Sequence, residues 1–217
     1  MEKNTVICPL CSGSSVSECF LETARMYLRC EGCNLVFVPE KYHMRLAEQR
    51  KRYDLHKNTL DNEGYTTFLG KLVKEVVKMV PPGATGLDFG SGPNPVLSIL
   101  LQRAGYKMSI YDIFYADNPA VLDGKYDFVT CSETIEHVYD AAGAWKTLVS
   151  CAGEKGIIAL MTKRLMKETD FSRWHYKNDL THVCFYSDAT LEWVARRYNY
   201  NLELVGSDMA VLTKIMS

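Results

Sequence analysis

The sequence has no apolar run long enough to cross a bilayer and no internal repeat. Its first residues lack the basic stretch followed by an apolar stretch that marks a secretory signal peptide. The formal net charge of −1 gives no argument for or against nucleic-acid binding. We therefore expect a cytoplasmic protein without a membrane partner. Hydrophobic residues make up 47% of the 217 positions, which is enough for one α/β domain and a small appendage.

Four of the eight cysteines form two Cys-x-x-Cys pairs near the N-terminus. The pairs are Cys8 with Cys11 and Cys30 with Cys33, and 18 residues lie between them. Four thiolates at this spacing suit a tetrahedral zinc ion with a complete coordination shell, whereas a redox dithiol would leave the second pair unexplained. The spacing therefore predicts a structural zinc ribbon.

The pattern of apolar residues divides the chain at residues 39 and 83. We predict the zinc ribbon in residues 1–39, a helical linker or cap in residues 40–83, and an α/β domain in residues 84–217. Apolar side chains recur at three- and four-residue steps from Tyr65 to Val80, which predicts one strong helix. After residue 84, strands separated by helices predict a parallel sheet, and the last two strands are close enough in sequence to pair antiparallel.

The stretch Leu87-Asp88-Phe89-Gly90-Ser91-Gly92 follows the first predicted strand of this domain. Its glycines let the chain turn sharply and approach a ligand, and the next helix presents free N–H groups that favour an anion. A dinucleotide-binding fingerprint would have glycine or alanine three residues later, where this chain has Pro95. Asp112 ends the next predicted strand, where a carboxylate can accept both hydroxyl groups of a ribose.

With these residues, the segment 84–217 resembles the class I methyltransferases that use S-adenosylmethionine (SAM), in the branch related to quinone-biosynthesis O-methyltransferases. The resemblance implies a Rossmann-like sheet that ends in an antiparallel hairpin. The SAM-binding residues that it implies are Asp88, Phe89, Gly90, Ser91, Gly92, Asp112, Ile113 and Ser132. Only fourteen residues separate Asp112 from Asp127, which leaves little room for the helix, third strand and adenine-contacting acid of such proteins.

Polar side chains follow two of the predicted strands at the edge where open α/β sheets bind ligands. A helix that begins at Ser132 would place Glu133, Glu136 and His137 on one face. His182 lies in a loop after a later strand, and this loop should hang over the same edge.

The first group, Glu133 to His137, resembles the Glu-x-x-Glu-His of quinone O-methyltransferases. With the later histidine it also resembles the small-RNA 2′-O-methyltransferases, in which such residues hold magnesium. The resemblance implies a site for magnesium or manganese formed by Glu133, Glu136, His137 and His182. The alternative is that Glu136 only orients His137 and that one histidine acts as a general base without a metal.

We predict a SAM-dependent methyltransferase and favour a small-molecule acceptor that is methylated at oxygen. The alternatives are an RNA or protein methyltransferase with the ribbon as docking module, and a non-catalytic SAM-binding adaptor. The adaptor is disfavoured because binding alone does not need the polar residues above the sheet. Residues 1–40 carry three Lys or Arg against five Glu, which argues against phosphate binding by the ribbon and favours a structural or docking role. Five Lys or Arg between residues 163 and 177 hint at an acidic acceptor.

Overall fold

A computed structural model describes residues 6–22, 25–55 and 58–216, and these residues form two β-sheets flanked by helices. In chain order the strands are β1 (Val16–Leu21), β2 (Met26–Cys30), β3 (Val36–Phe37), β4 (Thr85–Phe89), β5 (Lys107–Tyr111), β6 (Tyr126–Ser132), β7 (Ala152–Met161), β8 (Cys184–Phe185), β9 (Tyr200–Val205) and β10 (Met209–Lys214). The α-helices are α1 (Leu46–Tyr53), α2 (Glu63–Met79), α3 (Val96–Arg103), α4 (Ala141–Cys151) and α5 (Asp188–Tyr198). Over the described ranges, no helix combines the length and the hydropathy that crossing a bilayer requires.

The larger sheet has six strands in the order β5-β4-β6-β7-β10-β9. Its first four strands are parallel, and β10 pairs antiparallel with both β7 and β9. This arrangement confirms the predicted α/β class, the Rossmann-like sheet and the terminal antiparallel hairpin. Leu87 and Val129 lie at the centre of this sheet and are fully buried.

The larger sheet ends at β5, as the short spacing between Asp112 and Asp127 suggested. In place of a further strand, the described residues 112–125 contain one isolated bridge between Asp112 and Ala116 and a 3-10 turn at Pro119–Asp123. This shorter connection packs against α4 and β5 and forms the side of the sheet where a third strand would otherwise lie.

The smaller sheet has the order β1-β2-β3-β8, so three N-terminal strands pair with one strand from the second half of the chain. Val36 pairs with Phe185 and Phe37 with Cys184, and the Val38 N–H donates to the carbonyl of Val183 at 2.9 Å. Both sheets contribute side chains to one continuous apolar core. The division of the chain at residues 39 and 83 stays a prediction.

Helix α2 confirms the helix that the apolar periodicity predicts. It begins at Glu63, because the Asn62 side chain accepts a hydrogen bond from the Tyr65 N–H at 3.0 Å and caps the helix. Leu69, Leu72 and Val76 are its buried residues, and they belong to a second apolar cluster that α2 shares with α3 and one face of the larger sheet.

The predicted helix at Ser132 is wrong. Strand β6 continues to Ser132, and the Glu133 N–H donates to the Met161 carbonyl at 2.7 Å, which extends the pairing with β7. Glu133 then has a positive φ of 46°, and only a single 3-10 turn, Ile135–His137, follows. Glu133, Glu136 and His137 therefore do not share a helix face, because the chain turns away from the sheet before α4 begins.

Two glycine-to-alanine variants test this packing, because we expect them to change the free energy of unfolding in opposite directions. A Cβ at Gly86 in β4 would lie 2.3 Å from the Phe128 ring and 2.7 Å from the Met108 sulfur. We expect Gly86→Ala to lower the free energy of unfolding by about 1–3 kcal/mol through overpacking. At Gly70 in α2, a Cβ meets no atom within 4 Å, and we expect Gly70→Ala to raise the free energy of unfolding by about 0.5–1 kcal/mol.

Urea unfolding of both variants and the parent measures these differences. A Gly86→Ala variant as stable as the parent would contradict the close contact between β4 and Phe128.

Candidate functional site

A cavity of about 720 Å³ opens at the carboxyl ends of β4, β5 and β6, the edge where open α/β sheets bind ligands. Its lower wall consists of the loops that leave these strands. Leu46, Gln49 and Tyr53 of α1 line its upper wall. The cavity therefore lies between the carboxyl edge of the larger sheet and the segment before α2.

The glycine-rich loop at the end of β4 lines this cavity. Gly90 and Gly92 have positive φ angles of 81° and 67°, which glycine adopts readily. The N–H groups of Gly90 and Ser91 donate to the Tyr111 carbonyl at 2.8 and 3.1 Å, which fixes the loop against β5. A Cβ at Gly90 would lie 2.2 Å from Thr134 Cγ2, whereas a Cβ at Gly92 would meet nothing within 4 Å. Gly90 thus allows close packing, and the missing side chain at Gly92 leaves space beside the loop.

Asp112 connects this loop to the end of β5. Its Oδ2 accepts a hydrogen bond from the Gly92 N–H at 2.9 Å, and its Oδ1 accepts from the N–H groups of Phe114 and Tyr115 at 2.8 and 3.2 Å. A carboxylate has about four acceptor positions, so about one remains for a ligand. Asp112 can therefore accept one ribose hydroxyl in this arrangement, fewer than the two expected from the sequence.

Asp88 differs from the other predicted SAM-binding residues because it is buried and does not line the cavity. Thr130 Oγ1 donates a hydrogen bond to its Oδ1 at 2.9 Å. Burial and, to a smaller extent, the charge of Asp112 raise the pKa of Asp88 to about 7 against the hydrogen bonds from Thr130 and the Ser98 backbone. Asp88 thus lies beneath the glycine-rich loop, where it can support the loop without touching a ligand.

The remaining predicted SAM-binding residues lie where the sequence suggested. The side chains or backbone atoms that line the cavity include those of Phe89, Gly90, Ser91, Gly92, Asp112, Ile113 and Ser132. Phe89 stacks on Tyr111 with ring centroids 5.5 Å apart, and Ile113 is half exposed at the cavity mouth. Three loops from adjacent strands therefore converge on one space.

Two histidines from different segments meet at another part of the same cavity. The rings of His137 and His182 have centroids 4.6 Å apart, and both residues line the cavity. His182 Nδ1 lies 2.7 Å from the Tyr176 carbonyl oxygen, which can only accept, so Nδ1 carries the proton and Nε2 has the free lone pair. Burial lowers the pKa of His182, although the nearby Glu136 opposes this effect. The imidazole of His182 is therefore neutral at pH 7 and able to accept a proton at Nε2.

Glu136 is fully buried behind the histidines, and both of its oxygens are engaged. Thr162 Oγ1 donates to Oε2 at 2.9 Å, and the Tyr176 hydroxyl donates to Oε1. His137 Nε2 lies 4.0 Å from the same Oε1. Glu136, His137 and His182 can place one ligand atom each within 4.8 Å of one another, a spacing that a metal ion could bridge.

Glu133 is separate from this group of three. Its Oε2 lies 3.4 Å from the Tyr176 hydroxyl, which contacts Glu136 as well. Burial and, to a smaller extent, the charge of Glu136 raise the pKa of Glu133 to about 9. Glu133 is thus protonated at pH 7. Tyr176, whose role the sequence did not reveal, connects the two glutamates to His182.

The structure does not support the acidic acceptor suggested by the basic residues between positions 163 and 177, all of which it describes. None of the five lines the cavity. Arg164 is buried and forms an ion pair with Asp188 at 2.7 Å, and Lys177 is buried and pairs with Glu22. These two cations serve the packing of the chain.

Helix α1 and the residues it contacts contribute to the cavity, although the sequence gave no reason to select them. Gln49 of α1 is buried, and its Nε2 donates to the Tyr139 hydroxyl, which in turn donates to the Met44 carbonyl. Tyr139 also lines the cavity. Helix α1 has few apolar side chains, so periodicity could not show which of its faces is turned inward.

The four N-terminal cysteines form one cluster outside the cavity. The Sγ atoms of Cys8 and Cys33 lie 3.5 Å apart and those of Cys11 and Cys30 3.4 Å apart, with all four within 4.8 Å. Tetrahedral zinc with Zn–S bonds of about 2.3 Å places its sulfur atoms roughly 3.8 Å apart, so the cluster fits such an ion. A hydrogen bond with Cys33 lowers the pKa of Cys8 to about 5, while that bond and burial raise the pKa of Cys33. A cation is therefore needed to hold both of these thiolates.

The comparison with protein families finds a matching model. It is described as a methyltransferase domain and matches residues 62–205, which include α2 and the cavity edge of the larger sheet. A curated relative, the ubiquinone biosynthesis O-methyltransferase of Vibrio campbellii, is 33% identical over 89 residues. This match covers 41% of the chain and 38% of the relative, so the chain matches well under half of the relative's length.

Solved structures show a similar fold. The 1,6-didemethyltoxoflavin-N1-methyltransferase of Burkholderia thailandensis, with bound 1,6-didemethyltoxoflavin and S-adenosylhomocysteine, has a TM-score of 0.56 and 12% identity over 91% of this chain and 97% of its own. The magnesium protoporphyrin IX methyltransferase of Synechocystis PCC 6803, with bound SAH, has a TM-score of 0.53 and 16% identity over 78% of this chain and 94% of its own. At these identities the likeness concerns the fold.

The raised pKa of Asp88 predicts a dependence of stability on pH. The unfolded carboxyl has a pKa near 3.8 and the folded one about 7, so the folded state binds more protons between these values. Its contribution to stability is complete below pH 3.8 and is lost as the pH rises through 7. We expect the free energy of unfolding of the parent, relative to Asp88→Asn, to fall by up to about 3 kcal/mol between pH 5 and 8.

Urea unfolding of the parent and the Asp88→Asn variant at both pH values measures this difference. The exposed Asp61→Asn serves as the control and should follow the parent. Equal pH dependence in the parent and in Asp88→Asn would contradict a buried carboxyl that titrates near neutrality.

Proposed function

The chain belongs to the family of methyltransferase domains and has the fold of class I SAM-dependent methyltransferases, and we propose that it transfers the methyl group of SAM to an oxygen atom of a small molecule. The choice of oxygen as the acceptor atom rests on the lone pair at Nε2 of His182, a residue that lines the cavity. A hydroxyl acceptor must lose a proton, and an amine does not need a base of this kind before it attacks. The name of the Vibrio campbellii relative supports the same choice.

The cofactor end of the cavity is proposed to lie at the glycine-rich loop. The space beside Gly92 suits the methionine carboxylate of SAM, because the loop has no side chain there and a ligand can approach it closely. The remaining acceptor position of Asp112 suits one ribose hydroxyl. Asp88 supports this loop from below. When bound, SAM supplies a sulfonium methyl group that a nucleophile displaces in line.

The acceptor end is proposed to lie at the two histidines. His182 Nε2 takes the proton of the acceptor hydroxyl, and the negative charge of Glu136 stabilises the imidazolium that results. Glu136 is held for this purpose by Thr162 and Tyr176. Ordered placement of both reactants can lower the activation barrier by up to about 7–11 kcal/mol. A general base can raise the rate by a further factor of about 10²–10⁴.

A small molecule fits the cavity better than a chain segment of RNA or protein. Residues of α1 line one side of the space, and aromatic side chains such as Tyr53, Tyr65, Phe68 and Tyr139 line it as well. Such surroundings favour a compact, largely apolar acceptor. Methylated RNA or protein is the outcome that would count against this choice.

The four-cysteine cluster is proposed to hold one structural zinc ion. Four sulfur ligands would fill its coordination shell and leave no open position for catalysis. A second divalent ion at Glu136, His137 and His182 is a weaker proposal, because hydroxyl donors already occupy both oxygens of Glu136. The base mechanism needs no such ion.

The zinc proposal predicts one zinc ion per chain by elemental analysis. Cys30→Ser combined with Cys33→Ser removes half of the ligands and should abolish zinc binding and lower the melting temperature, because the binding energy of a structural zinc is folding energy. Cys19→Ser, a free thiol in β1, is the matched control and should retain the metal. Undiminished zinc in the double variant would overturn the ligand assignment.

The proposed reaction is tested with SAM that carries a labelled methyl group, in an extract separated into small molecules, RNA and protein. We expect label in the small-molecule fraction. His182→Asn keeps a donor for the Tyr176 carbonyl but lacks Nε2, so it should label about 10²–10⁴-fold more slowly while it binds SAM like the parent.

The exposed His175→Asn is the control for this variant and should label at the parent rate. Full activity of His182→Asn would contradict the base. A rate that depends on added magnesium or manganese would favour the metal site instead.

A further inference from the structure

We propose that the N-terminal ribbon forms part of the catalytic apparatus by fixing the position of His182, and that Arg25 is the positioning residue. The proposal rests on the role of His182 as the base. The ribbon itself does not reach the cavity among the described residues, since residues 6–22 and 25–39 contribute no lining atom. Its effect on catalysis therefore has to pass through the segment that carries His182.

Arg25 is 3% exposed, although it lies in the short link between β1 and β2. Its Nη1 donates to the Asp179 carbonyl at 3.2 Å, and its Nη2 donates to the carbonyl of His182. The Asp179 carbonyl also accepts the His182 N–H at 3.1 Å. The guanidinium of Arg25 therefore binds a carbonyl at each end of the turn that carries the proposed base.

Further contacts attach the same segment to the ribbon on either side of this turn. The Tyr27 hydroxyl donates to the Lys177 carbonyl at 3.2 Å, and the Val38 N–H donates to the Val183 carbonyl at 2.9 Å. On its other edge, the Val183 N–H donates to the Glu136 carbonyl at 2.8 Å. The backbone around His182 is therefore held between the ribbon and the turn that carries Glu136 and His137.

An arginine is suited to this position for a geometric reason. Its planar guanidinium carries donors in a fixed fork, so two carbonyl groups bound to it keep one separation and one orientation. A lysine presents three donors on a single flexible nitrogen and cannot impose the same separation. Burial lowers the pKa of Arg25, and the charges of Asp179 and Glu22 oppose this effect. An arginine remains charged even so, and its donors remain available.

The position of the His182 ring depends on this backbone. The ring is anchored by Nδ1 to the carbonyl of Tyr176 and lies 4.1 Å from the Tyr176 ring, measured between centroids. If the turn loses its contacts to Arg25, the distance between Nδ1 and the carbonyl can vary and the Nδ1-protonated tautomer loses its preference. Water then reaches the imidazole, and its pKa rises towards the ordinary value near 6.5.

The test compares Arg25→Met, which keeps the aliphatic volume and removes all donors, with Arg25→Lys and with Arg29→Met. Arg29 is exposed on β2 of the same ribbon and serves as the matched control. Nitrogen-15 NMR of labelled histidines reports the tautomer and pKa of His182 without an acceptor. Calorimetry with SAH reports the cofactor site separately.

We expect parent and Arg29→Met to show the Nδ1-protonated tautomer with a lowered pKa. Arg25→Met should show a mixture of tautomers and a raised pKa, with SAH affinity within about twofold of the parent, and Arg25→Lys should be intermediate. With labelled SAM and extract, Arg25→Met should methylate about 10–100-fold more slowly, because a displacement of about 1 Å has this effect.

A folded Arg25→Met protein with the parent's His182 tautomer and pKa would overturn the proposal. If Arg25→Met does not fold, Arg25→Lys decides in the same way, and unchanged signals in that variant contradict the positioning role. A parent protein that binds no SAH and methylates nothing would instead contradict the proposed function, while the NMR comparison still tests the role of Arg25.

Discussion

Strands β3 and β8 join two parts of the chain that the sequence suggests are separate, and the arrangement of the cavity depends on this pairing. It consists of only two residues on each strand, Val36 and Phe37 against Phe185 and Cys184. Both strands are buried, so the pairing lies inside the shared core although β8 is the last strand of the smaller sheet. Because β8 directly follows the segment with Tyr176 and His182, the position of the smaller sheet sets where these side chains meet Glu136. The ribbon therefore supports the site, although none of its described residues lines the cavity.

The proposed base operates in a network in which burial decides the protonation states. Burial keeps His182 neutral and Glu133 protonated, and it places Glu136 among hydroxyl donors. A neutral imidazole with a carboxylate behind it can accept a proton and hold the charge that forms. Tyr176 connects these groups, since its hydroxyl contacts both glutamates and its carbonyl anchors His182. The network therefore depends on one loop that the larger sheet alone does not fix.

The sequence predicted those features that local patterns encode. The periodicity of α2, the alternation of strands and helices, the glycine-rich loop and the cysteine pairs are all local signals, and the structure has each of them. The helix expected at Ser132 failed because a long-range contact, the Glu133 N–H with Met161, decides the backbone there. The same limit applies to Arg25, since its partners lie more than 150 residues away and no spacing rule connects them. Asp88 is buried beneath the loop and does not line the cavity, and a sequence motif cannot show such a difference in burial.

Hydrogen–deuterium exchange, measured by mass spectrometry before and after removal of the zinc ion proposed for the cysteine cluster, most directly tests the claim that the ribbon and the His182 segment form one unit. We predict that amide exchange rises together in β2, β3 and residues 179–185 when the metal is removed, while β4 and β6 at the centre of the larger sheet stay protected. Faster exchange in β2 and β3 with unchanged protection of residues 179–185 would contradict the account, because the loop would then keep its position without the ribbon.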